Sequence, residues 1–464
     1  MSFQISPEVD GNKVFLVQSS EIEGRLDPAY NLALVKNKIN SCFKKERIGK
    51  ICRALSGGTP SKSNSSFWTG SIPWVSPKDM KRFYLNETED HITEKAVVES
   101  STNIAPKNSV LIVFRSGILQ HTIPVAVTTK QMAINQDIKA LIFKKTVIPS
   151  YIGYFFNVYQ IKLIPLFVKH STTVQSINTA QFDRFEIPIP PHEIQSAIVA
   201  KMDAAYAAKK EKETEAERLL NSIDDYLLRE LGIELPEQEE NTVQSRIFTR
   251  RFSEISGGRF DPNTYKKERI EVIERIKKGQ YTAKPLYQVL THLNSRTGNI
   301  DRETIYIGME NIEGNTGEWI PTESKESVSS ATVFKKKDIL FPKLRPYLNK
   351  VFYSDTEGVC STEFHVFSAQ NDNNEYISNF LRSRAVVAQT KCLMSGNTLP
   401  RLQFEDIQKL LIPLPPLPKQ TEIADHITRI RNNAKQLKQE AKQGLEQAKQ
   451  EVEAMILGED SSDA

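Results

Sequence analysis

The stretch Ile187-Pro188-Ile189-Pro190-Pro191 occurs twice in this 464-residue chain, because it returns as Ile412-Pro413-Leu414-Pro415-Pro416. The second copy lies 225 residues after the first, which is 412 minus 187. Apolar and glutamine positions on both sides coincide at the same offset: Ile177 with Leu402, Phe182 with Ile407, Phe185 with Leu410, Gln195 with Gln420, Ile198 with Ile423 and Leu220 with Leu445. A repeat of this extent is a structural unit with its own surface. The sequence therefore predicts two tandem copies of one unit, with two related sites.

A second repeat lies upstream, where Arg25-Leu26-Asp27-Pro28 recurs as Arg259-Phe260-Asp261-Pro262. The similar triplets Ser20-Glu21-Ile22 and Ser253-Glu254-Ile255 precede these two copies. Two domains with connecting structure also suit the length of the chain, since a typical domain has about 150 residues.

The composition, with 39% hydrophobic and 25% charged residues, is that of a globular protein in water. No run of about 18 apolar residues could span a bilayer. The start of the chain, Met1 to Val17, lacks the pattern of a signal peptide. The cysteines Cys42, Cys52, Cys360 and Cys392 show no Cys-x-x-Cys spacing and are expected to be reduced thiols. We therefore expect a cytoplasmic protein without membrane contact.

Two long helices are predicted after the repeated prolines. The first is indicated by 40 residues without Gly or Pro, His192–Leu231, which end at Gly232. Apolar residues at three- and four-residue steps predict a stripe on each helix, formed by Ile194, Ile198, Met202, Ala205, Ala216, Leu220, Ile223, Leu227 and Leu231, and by Ile423, Ile427, Ile430, Ala434, Leu437, Ala441, Leu445, Ala448, Val452 and Met455. At 1.5 Å per residue each helix is roughly 60 Å long, more than one domain face covers. Antiparallel pairing of the helices is the favoured interpretation, and separate docking of each helix on its own domain is the alternative.

Motifs for known catalytic chemistry are missing from the sequence. The run Gly57–Ser63 is not a phosphate-binding Walker A loop, because Ser61 stands where the glycine before the lysine is required. Neither Pro-Pro pair belongs to an Asn/Asp-Pro-Pro-aromatic motif, and the seven histidines show no metal-ligand spacing. We therefore predict no catalytic residue and no metal site.

The sequence gives stronger indications of nucleic-acid binding than of catalysis. The runs Lys44–Lys62 and Lys335–Lys350 each carry six basic residues against one acid, which suits an anionic partner, although solvated surface is the alternative for either run. The Gly/Ser loop beginning at Gly57 has backbone N–H groups and lysines that could approach phosphates, and short polar side chains that could read base edges. The candidate DNA-binding residues in this half are Lys62, Ser63, Asn64, Lys78 and Arg115. Trp68 and Trp74 are expected to pack in the fold rather than to stack on bases.

The second half has its own basic loop, Lys343-Leu344-Arg345-Pro346-Tyr347-Leu348-Asn349-Lys350. Arginine can contact guanine bidentately, whereas lysine acts as a point charge toward phosphate. The candidates here are Lys343, Arg345, Asn349 and Lys350. An ion pair between Arg345 and Glu363, or another carboxylate, is the alternative.

These motifs together resemble the specificity subunits of type I restriction-modification systems. In the first copy the resemblance rests on Gly57–Pro60, Ile72-Pro73-Trp74 and Asn135-Gln136-Asp137. In the second copy it rests on Lys343–Leu348, Cys360–Phe364 and Leu399-Pro400-Arg401-Leu402, and in both on Ile-Pro-Ile/Leu-Pro-Pro before a Gln and a long helix. The resemblance implies an α+β fold, in which two tandem globular target recognition domains are separated by two long helices that form a pseudo-two-fold symmetric antiparallel coiled coil.

The implied boundaries divide the chain into five parts: residues 1–191 and 236–417 as the two target recognition domains, 192–235 and 418–458 as the helices, and 459–464 as a disordered tail. The implied function is non-catalytic recognition of a bipartite double-stranded DNA target, with the helices setting the half-site spacing. The implied partners are methyltransferase (M) and restriction/translocase (R) subunits, which would use S-adenosylmethionine, ATP and Mg²⁺, while this chain would bind no cofactor. An unrecognised methyltransferase or nuclease, or a scaffold that bridges proteins, is the alternative.

Overall fold

The chain forms two compact units, each with its own hydrophobic core. The first unit comprises Met1–Glu211 and Glu440–Ala464, and the second comprises Lys212–Gln439. The computed structural model describes residues 27–169, 174–237, 247–255, 261–298, 303–321, 330–394 and 399–459, and positions 10, 14, 16, 242, 243 and 300. Much of the upstream repeat and residues 460–464 of the predicted tail lie outside the described residues. Within the described part of the chain, no helix is long and apolar enough to cross a membrane.

The first unit combines short helices with small sheets. Its helices are α1 (Pro28–Lys36), α2 (Ile48–Ile51), α3 (Glu94–Val98), α4 (Pro149–Phe167), α5 (Thr179–Arg184) and the beginning of α6 (His192–Glu230). Its strands are β1 (Lys45–Arg47), β2 (Cys52–Ser56), β3 (Ile72–Val75), β4 (Tyr84–Leu85), β5 (Asp90–Ile92), β6 (Asn103–Ala105), β7 (Val110–Val113), β8 (Val125–Thr128), β9 (Met132–Ile134), β10 (Ile138–Phe143), β11 (Val168–Lys169), β12 (Ser176–Ile177) and β13 (Glu186–Pro188).

A five-stranded sheet with the order β2-β10-β7-β8-β4 lies at the centre of the first unit. Strand β7 consists of Val, Leu, Ile and Val, all buried, as expected for β-branched and apolar residues in a central strand. Helix α4 starts with Pro149 in its first turn and buries aromatic side chains such as Tyr151 and Phe155 against this sheet. A second sheet has the order β5-β3-β9-β6, and β1 pairs with β13.

The second unit contains the end of α6 and most of the remaining elements. Its helices are α7 (Phe252–Ile255), α8 (Lys267–Lys278), α9 (Asn374–Leu381), α10 (Arg384–Lys391), α11 (Phe404–Gln408) and the beginning of α12 (Leu417–Leu457), whose last turns belong to the first unit. Its strands are β14 (Ala283–Pro285), β15 (Leu290–Leu293), β16 (Arg296–Thr297), β17 (Tyr306–Ile307), β18 (Ala331–Phe334), β19 (Ile339–Pro342), β20 (Phe352–Tyr353), β21 (Gly358–Cys360), β22 (Phe364–Ala369) and β23 (Leu411–Pro413).

The sheets of the second unit repeat those of the first. The order β15-β22-β19-β20 corresponds to β2-β10-β7-β8. In the other four-stranded sheet of the second unit, β21 pairs in parallel with β17 and antiparallel with β18, as β9 does with β3 and β6. The predicted α+β fold with two tandem domains is therefore confirmed.

The glutamine that follows each repeated proline pair is buried and ties the start of a long helix to its own domain. Gln195 accepts a hydrogen bond from the backbone N–H of Ile148 (2.8 Å) and donates one to the carbonyl of Pro190 (2.8 Å). The equivalent bonds of Gln420 join it to the N–H of Asn373 (2.9 Å) and the carbonyl of Pro415 (2.9 Å). The glutamine, its N–H donor and its carbonyl acceptor in the second unit each lie 225 residues after their counterparts in the first.

A tyrosine hydroxyl reinforces the same junction in each unit. Tyr151 donates to the carbonyl of Pro188 (2.6 Å), and Tyr376 donates to the carbonyl of Pro413 (2.7 Å). The carbonyl groups of the repeated prolines are buried in the fold, and buried carbonyl groups need hydrogen-bond donors. The repeated sequence thus encodes a repeated hydrogen-bonded junction.

The two long helices pack on each other within each unit. In the first unit, Ile198 and Met202 of α6 share a core with Val452 and Ile456 of α12. In the second unit, Tyr226 stacks on His426, with ring centroids 4.1 Å apart, and Glu230 pairs with Lys419 (2.8 Å). Partner numbers in α12 fall as those in α6 rise, so the helices are antiparallel there. The predicted pairing is confirmed, and separate docking of each helix is wrong.

Candidate nucleic-acid interface

A loop with an exposed tip follows strand β19 of the second unit. A short 3₁₀ turn, Pro346–Leu348, is flanked by Arg345 (φ 47°) and Asn349 (φ 52°), both left-handed. Non-glycine residues in this region are held there by their surroundings and are frequent at functional sites. The Asn349 side chain is buried and donates to the carbonyl of Arg382 (2.6 Å), which holds the turn in this conformation.

Three of the four predicted DNA contacts in this loop build the loop itself. The Lys343 ammonium donates to the carbonyl of Thr362 (2.6 Å), and the Lys350 ammonium donates to that of Met309 (2.7 Å). Lys343 is half-buried, and burial lowers its pKa. Each ammonium gives one of its three N–H donors to a main-chain oxygen, and the Asn349 amide is bonded likewise, so these side chains help to hold the loop. Their contact with DNA stays a prediction.

Arg345 is the predicted candidate whose side chain remains available. It is exposed at the tip, and its backbone N–H donates to the carbonyl of Pro400 (2.8 Å). The alternative ion pair with Glu363 is wrong, because Glu363 binds Arg401 instead (2.9 Å). Arg345 makes no ion pair with any residue that the structure describes. Its guanidinium can therefore offer a planar, bidentate donor pair to a ligand.

The first unit holds an equivalent loop after β7. Its 3₁₀ turn, Gly117–Gln120, is capped by Ser116, whose N–H donates to the carbonyl of Gln175 (3.1 Å). This bond corresponds to the one between Arg345 and Pro400, because 400 minus 175 is again 225. Arg115, a predicted contact, is exposed beside the turn. Both units therefore carry the same loop, held by the same segment of the repeat.

The tips of the two loops also expose apolar side chains that the sequence did not single out. Ile118 in the first unit and Tyr347 in the second are each 44% exposed. Their equivalence became visible only through the shared 3₁₀ turn, since the two loops differ in sequence. The available signal was position, because each lies five residues beyond its central strand.

The Gly57–Ser63 loop of the first unit is held by the two tryptophans. The indole N–H of Trp74 donates to the carbonyl of Gly58 (3.1 Å), and that of Trp68 donates to the carbonyl of Ser61 (3.2 Å). A Cβ at Gly57 would come within 2.1 Å of the Ile134 carbonyl, so this close approach requires glycine. The expected packing role of both tryptophans agrees with these contacts.

The expected phosphate-facing backbone is only partly available in this loop. The Gly58 N–H donates to the carbonyl of Ile134 (2.9 Å), which contradicts a free donor at that position. Lys62 and Ser63 are exposed, whereas the Asn64 side-chain oxygen accepts from the N–H of Ser66 (3.2 Å). Lys62 and Ser63 therefore remain candidates, and Asn64 also shapes the turn.

Lys78 is neutralised by neighbouring carboxylates. Its ammonium lies 3.0 Å from Glu89 and 2.9 Å from Asp90, and these partners raise its pKa. These two carboxylates would compete with a phosphate for the Lys78 ammonium, and its contact with DNA stays a prediction.

One turn, Asn135-Gln136-Asp137, links two loops of the first unit that carry candidate residues. Thr59 donates to the Gln136 side chain, and the Asp137 carbonyl accepts from the N–H of Phe114 (2.7 Å) and of Arg115 (3.3 Å). The Gly57–Ser63 loop and the Arg115 loop are therefore joined in one network.

A pair of histidines lies beneath the basic loop of the second unit. His365 Nδ1 and His292 Nε2 are 3.1 Å apart, and both rings pack against Phe404. Burial, with Lys343 and His292 nearby, lowers the pKa of His365 to about 3. Burial and Lys343 also lower the pKa of His292. The hydrogen bond requires an acceptor nitrogen, so the pair is stable only while at least one ring is neutral.

This pair predicts acid sensitivity of the second unit. Unfolded histidine binds a proton near pH 6.5, whereas folded His365 does so only near pH 3. The unfolded state therefore binds more protons between these values, and the stability that is fully present above pH 6.5 is lost as the pH falls. The free energy of unfolding should fall by at most about 1.4 kcal/mol per pH unit from this residue. The free energy of unfolding of wild type and His365→Gln can be measured by urea titration at several pH values. Its dependence on pH should have a smaller slope in the variant.

The matched control is His121→Gln, an exposed histidine of the first unit. It should leave the slope unchanged. Equal slopes for wild type and His365→Gln would contradict the prediction.

Comparison with known proteins assigns the family. A family model described as the type I restriction modification DNA specificity domain matches residues 40–219 and 276–447, more than half of the chain. The chain belongs to this family. The first matched segment runs from before β1 through most of α6, and the second from the end of α8 through most of α12. The DNA specificity domain thus occurs twice, as the repeat predicts.

Relatives of this specificity-domain protein carry related names. It is 36% identical over 203 residues to the EcoR124I/EcoR124II specificity subunit of Escherichia coli, covering 44% of this chain and 47% of the relative. It is 30% identical over 182 residues to the MjaIX specificity subunit of Methanocaldococcus jannaschii, covering 36% and 41% respectively. The matches thus span about half or less of the relatives' length.

A solved structure resembles the DNA specificity-domain protein over most of its length. That structure, described under complex assembly and conformational transition of the type I R-M system, has a TM-score of 0.51 at 11% identity. The match covers 90% of this chain and 97% of the solved chain. At this identity the likeness concerns the fold alone.

Proposed function

We propose that this chain is the non-catalytic DNA-specificity subunit of a type I restriction-modification complex, with each recognition domain reading one half of a bipartite double-stranded target. One observation carries this proposal. The same loop occurs in both units, after β7 and after β19, with the same main-chain bond to the repeat segment and an exposed arginine. Two loops at equivalent positions that carry different side chains are suited to reading two different half-sequences.

The chemistry of these loops suits the major groove. Arg345 can donate two hydrogen bonds to guanine O6 and N7, and Arg115 can do so in the first domain. Tyr347 and Ile118 offer apolar contact with a thymine methyl group. Lys62 carries a charge suited to phosphate, and Ser63 beside it can donate to phosphate oxygens; such contacts orient the protein without reading sequence.

The long helices are proposed to set the half-site spacing and to dock methyltransferase (M) subunits, with restriction/translocase (R) subunits completing the complex. The family and the name of the structural relative's system support such an assembly. In this proposal S-adenosylmethionine, ATP and Mg²⁺ are used by the partners, this chain binds no cofactor, and the complex works in the cytoplasm.

Replacing Arg345 with Ala tests the proposal. If Arg345 contacts guanine, the change should cost about 1–3 kcal/mol and relax specificity only in the half-site read by the second domain. If it contacts phosphate alone, all sequences should weaken together, and the slope of log K against log salt should fall by about one. Binding of the full chain to half-site variants at several salt concentrations distinguishes the two outcomes.

Arg429→Ala is the matched control, because Arg429 is an exposed arginine of the same unit on α12 and away from the loop. It should leave half-site specificity unchanged. DNA binding that is absent or insensitive to salt would instead favour a protein-bridging scaffold. Methylation or cleavage by the contaminant-free chain would favour an enzyme.

A further inference from the structure

A second pair of equivalent loops, distinct from those after β7 and β19, contacts a long helix in each unit, and the contacting side chains differ between the units. In the first unit it follows β3, begins with the 3₁₀ turn Pro77–Asp79 and ends at β4. In the second unit it follows β17, begins with the 3₁₀ turn Met309–Asn311 and continues to Trp319. We call these segments, residues 77–85 and 309–319, the bridging loops.

In the first unit the bridging loop is bound to α6 through Asp203. The carboxylate accepts a hydrogen bond from the Tyr84 hydroxyl (3.1 Å) and another from the Tyr154 hydroxyl of α4. Tyr154 in turn stacks on Phe83 of the loop, with ring centroids 3.8 Å apart and planes within 9°. One half-buried carboxylate therefore joins loop, sheet-covering helix and long helix.

In the second unit the bridging loop is bound to α12 through Arg431. The carbonyl of Thr316 accepts one hydrogen bond from Arg431 (2.6 Å) and one from Arg382 (2.7 Å). Arg431 also donates to the Asn379 side chain (3.2 Å). Gly317 is required beside this carbonyl, because it has φ +68° and a Cβ would lie 2.9 Å from the Arg382 guanidinium.

The two helix residues that bind the loops, Asp203 and Arg431, lie three residues apart once the 225-residue offset is applied. Tyr154 corresponds to Asn379, and Tyr206, which stacks on Tyr154, corresponds to Arg431, both at 225 residues. The position of Asp203 is taken by Thr428, which donates to Glu375 at the start of α9. The polar character of the contact is thus kept while every side chain in it has changed.

The second contact is costly for stability alone. Arg382 is buried and Arg431 is half-buried, so two like charges lie close together out of water, although Glu318 and Glu375 are near both. Their Nε groups have no partner among the residues that the structure describes. Burial lowers the pKa of both guanidinium groups. An apolar contact of similar shape would avoid this cost. Two planar guanidinium groups donate to the same carbonyl, that of Thr316. This pair of bonds restrains the position and orientation of the bridging loop on the helix.

We propose that Asp203 and Arg431 are positioning residues, which fix the angle of each recognition domain on its long helix and so restrict the spacer lengths that the protein accepts. This inference rests on the proposed function. Neither residue needs to touch DNA, because each acts through the bridging loop and the sheet from which that loop arises. Loosening either contact should widen spacer tolerance while leaving both half-sequences unchanged.

The experiment is a binding selection with the full chain, purified together with the subunits with which it assembles. Wild type is first used to select its target from random DNA. A library then presents both half-sites at every spacing from none to two turns of the duplex. Asp203→Ala and Arg431→Met should each lower the preference for the wild-type spacer over its neighbours by about tenfold, equivalent to about 1.4 kcal/mol. Asp203→Asn and Arg431→Lys, which retain an acceptor and a donor, should restore much of the preference.

Lys201→Gln is the matched control, because Lys201 lies two residues from Asp203 on α6 and pairs with Glu451 of α12 instead of the loop. It should keep the wild-type spacer preference. An unchanged preference in Asp203→Ala and Arg431→Met overturns the proposal, even if both variants melt earlier. If either variant fails to bind, Tyr84→Phe removes one bond to Asp203, and an unchanged preference there overturns it equally. Failure of wild type to select any bipartite sequence would refute the proposed function instead.

Discussion

Removing one heptad from each long helix should shorten the preferred spacer by about three base pairs and leave both half-sequences unchanged. The deletion of Glu211–Glu217 from α6, with the facing Lys435–Ala441 from α12, shortens each helix by roughly 10 Å at 1.5 Å per residue. A whole heptad keeps the apolar stripe on the same face, so the pairing should survive. DNA rises about 3.4 Å per base pair along each strand. The measurement is selection of the variant's target from a library of spacer lengths.

The control for this prediction is deletion of Glu211–Glu217 alone. It shifts α6 against α12 by a heptad and should impair folding instead of giving a defined new spacing. Protein that carries both deletions and still selects the original spacer would show that the helices do not determine the half-site distance.

Replacing either buried glutamine should destabilise its own unit by on the order of 3 kcal/mol. Gln195→Ala removes the partner of the Ile148 N–H and of the carbonyls of Thr146 and Pro190, and a polar group left buried without a partner, as at Pro190, costs about 1–3 kcal/mol. Gln420→Ala should act in the same way on the second unit. Amide hydrogen exchange can resolve the effects, because protection should fall in one unit and not in the other.

Gln447→Ala supplies the matched control, since Gln447 is exposed on α12 and bonds to the exposed side of Glu451 (2.9 Å). Its effect should stay within about 0.5 kcal/mol, as is usual for surface changes. Equal losses for Gln447→Ala and Gln195→Ala would argue against a structural role of the buried junction.

The repeated junction could be predicted in outline but not in mechanism. The sequence shows Gln195 and Gln420 at equal distances from the repeated prolines, and from this two equivalent units follow. The partners Ile148 and Asn373 lie 47 residues upstream, and no local pattern connects them to the glutamines. Spacing along the chain carries such periodic information, whereas a hydrogen bond across 47 residues depends on the completed fold.

The DNA-facing residues divide in the same way. Residue type alone suggested Lys343, Asn349, Lys350 and Lys78, because cations and amides are suited to nucleic acid. The fold brings the first three of these groups to main-chain carbonyls and Lys78 to the carboxylates of Glu89 and Asp90. Arg345 is exposed and Glu363 pairs with Arg401, and this pairing depends on where segments far apart in sequence lie in the fold.

The sequence by itself determined that the chain contains two copies of one α+β unit and two long paired helices, because repeats and apolar periodicity are properties of residue order. The tertiary structure alone decided which charged side chains face solvent and which hold a loop. It also decided that Asp203 and Arg431 meet the bridging loops. Their contacts join residues 119 and 115 positions apart, and the direction of a side chain over such a distance is set by packing rather than by its neighbours in the chain.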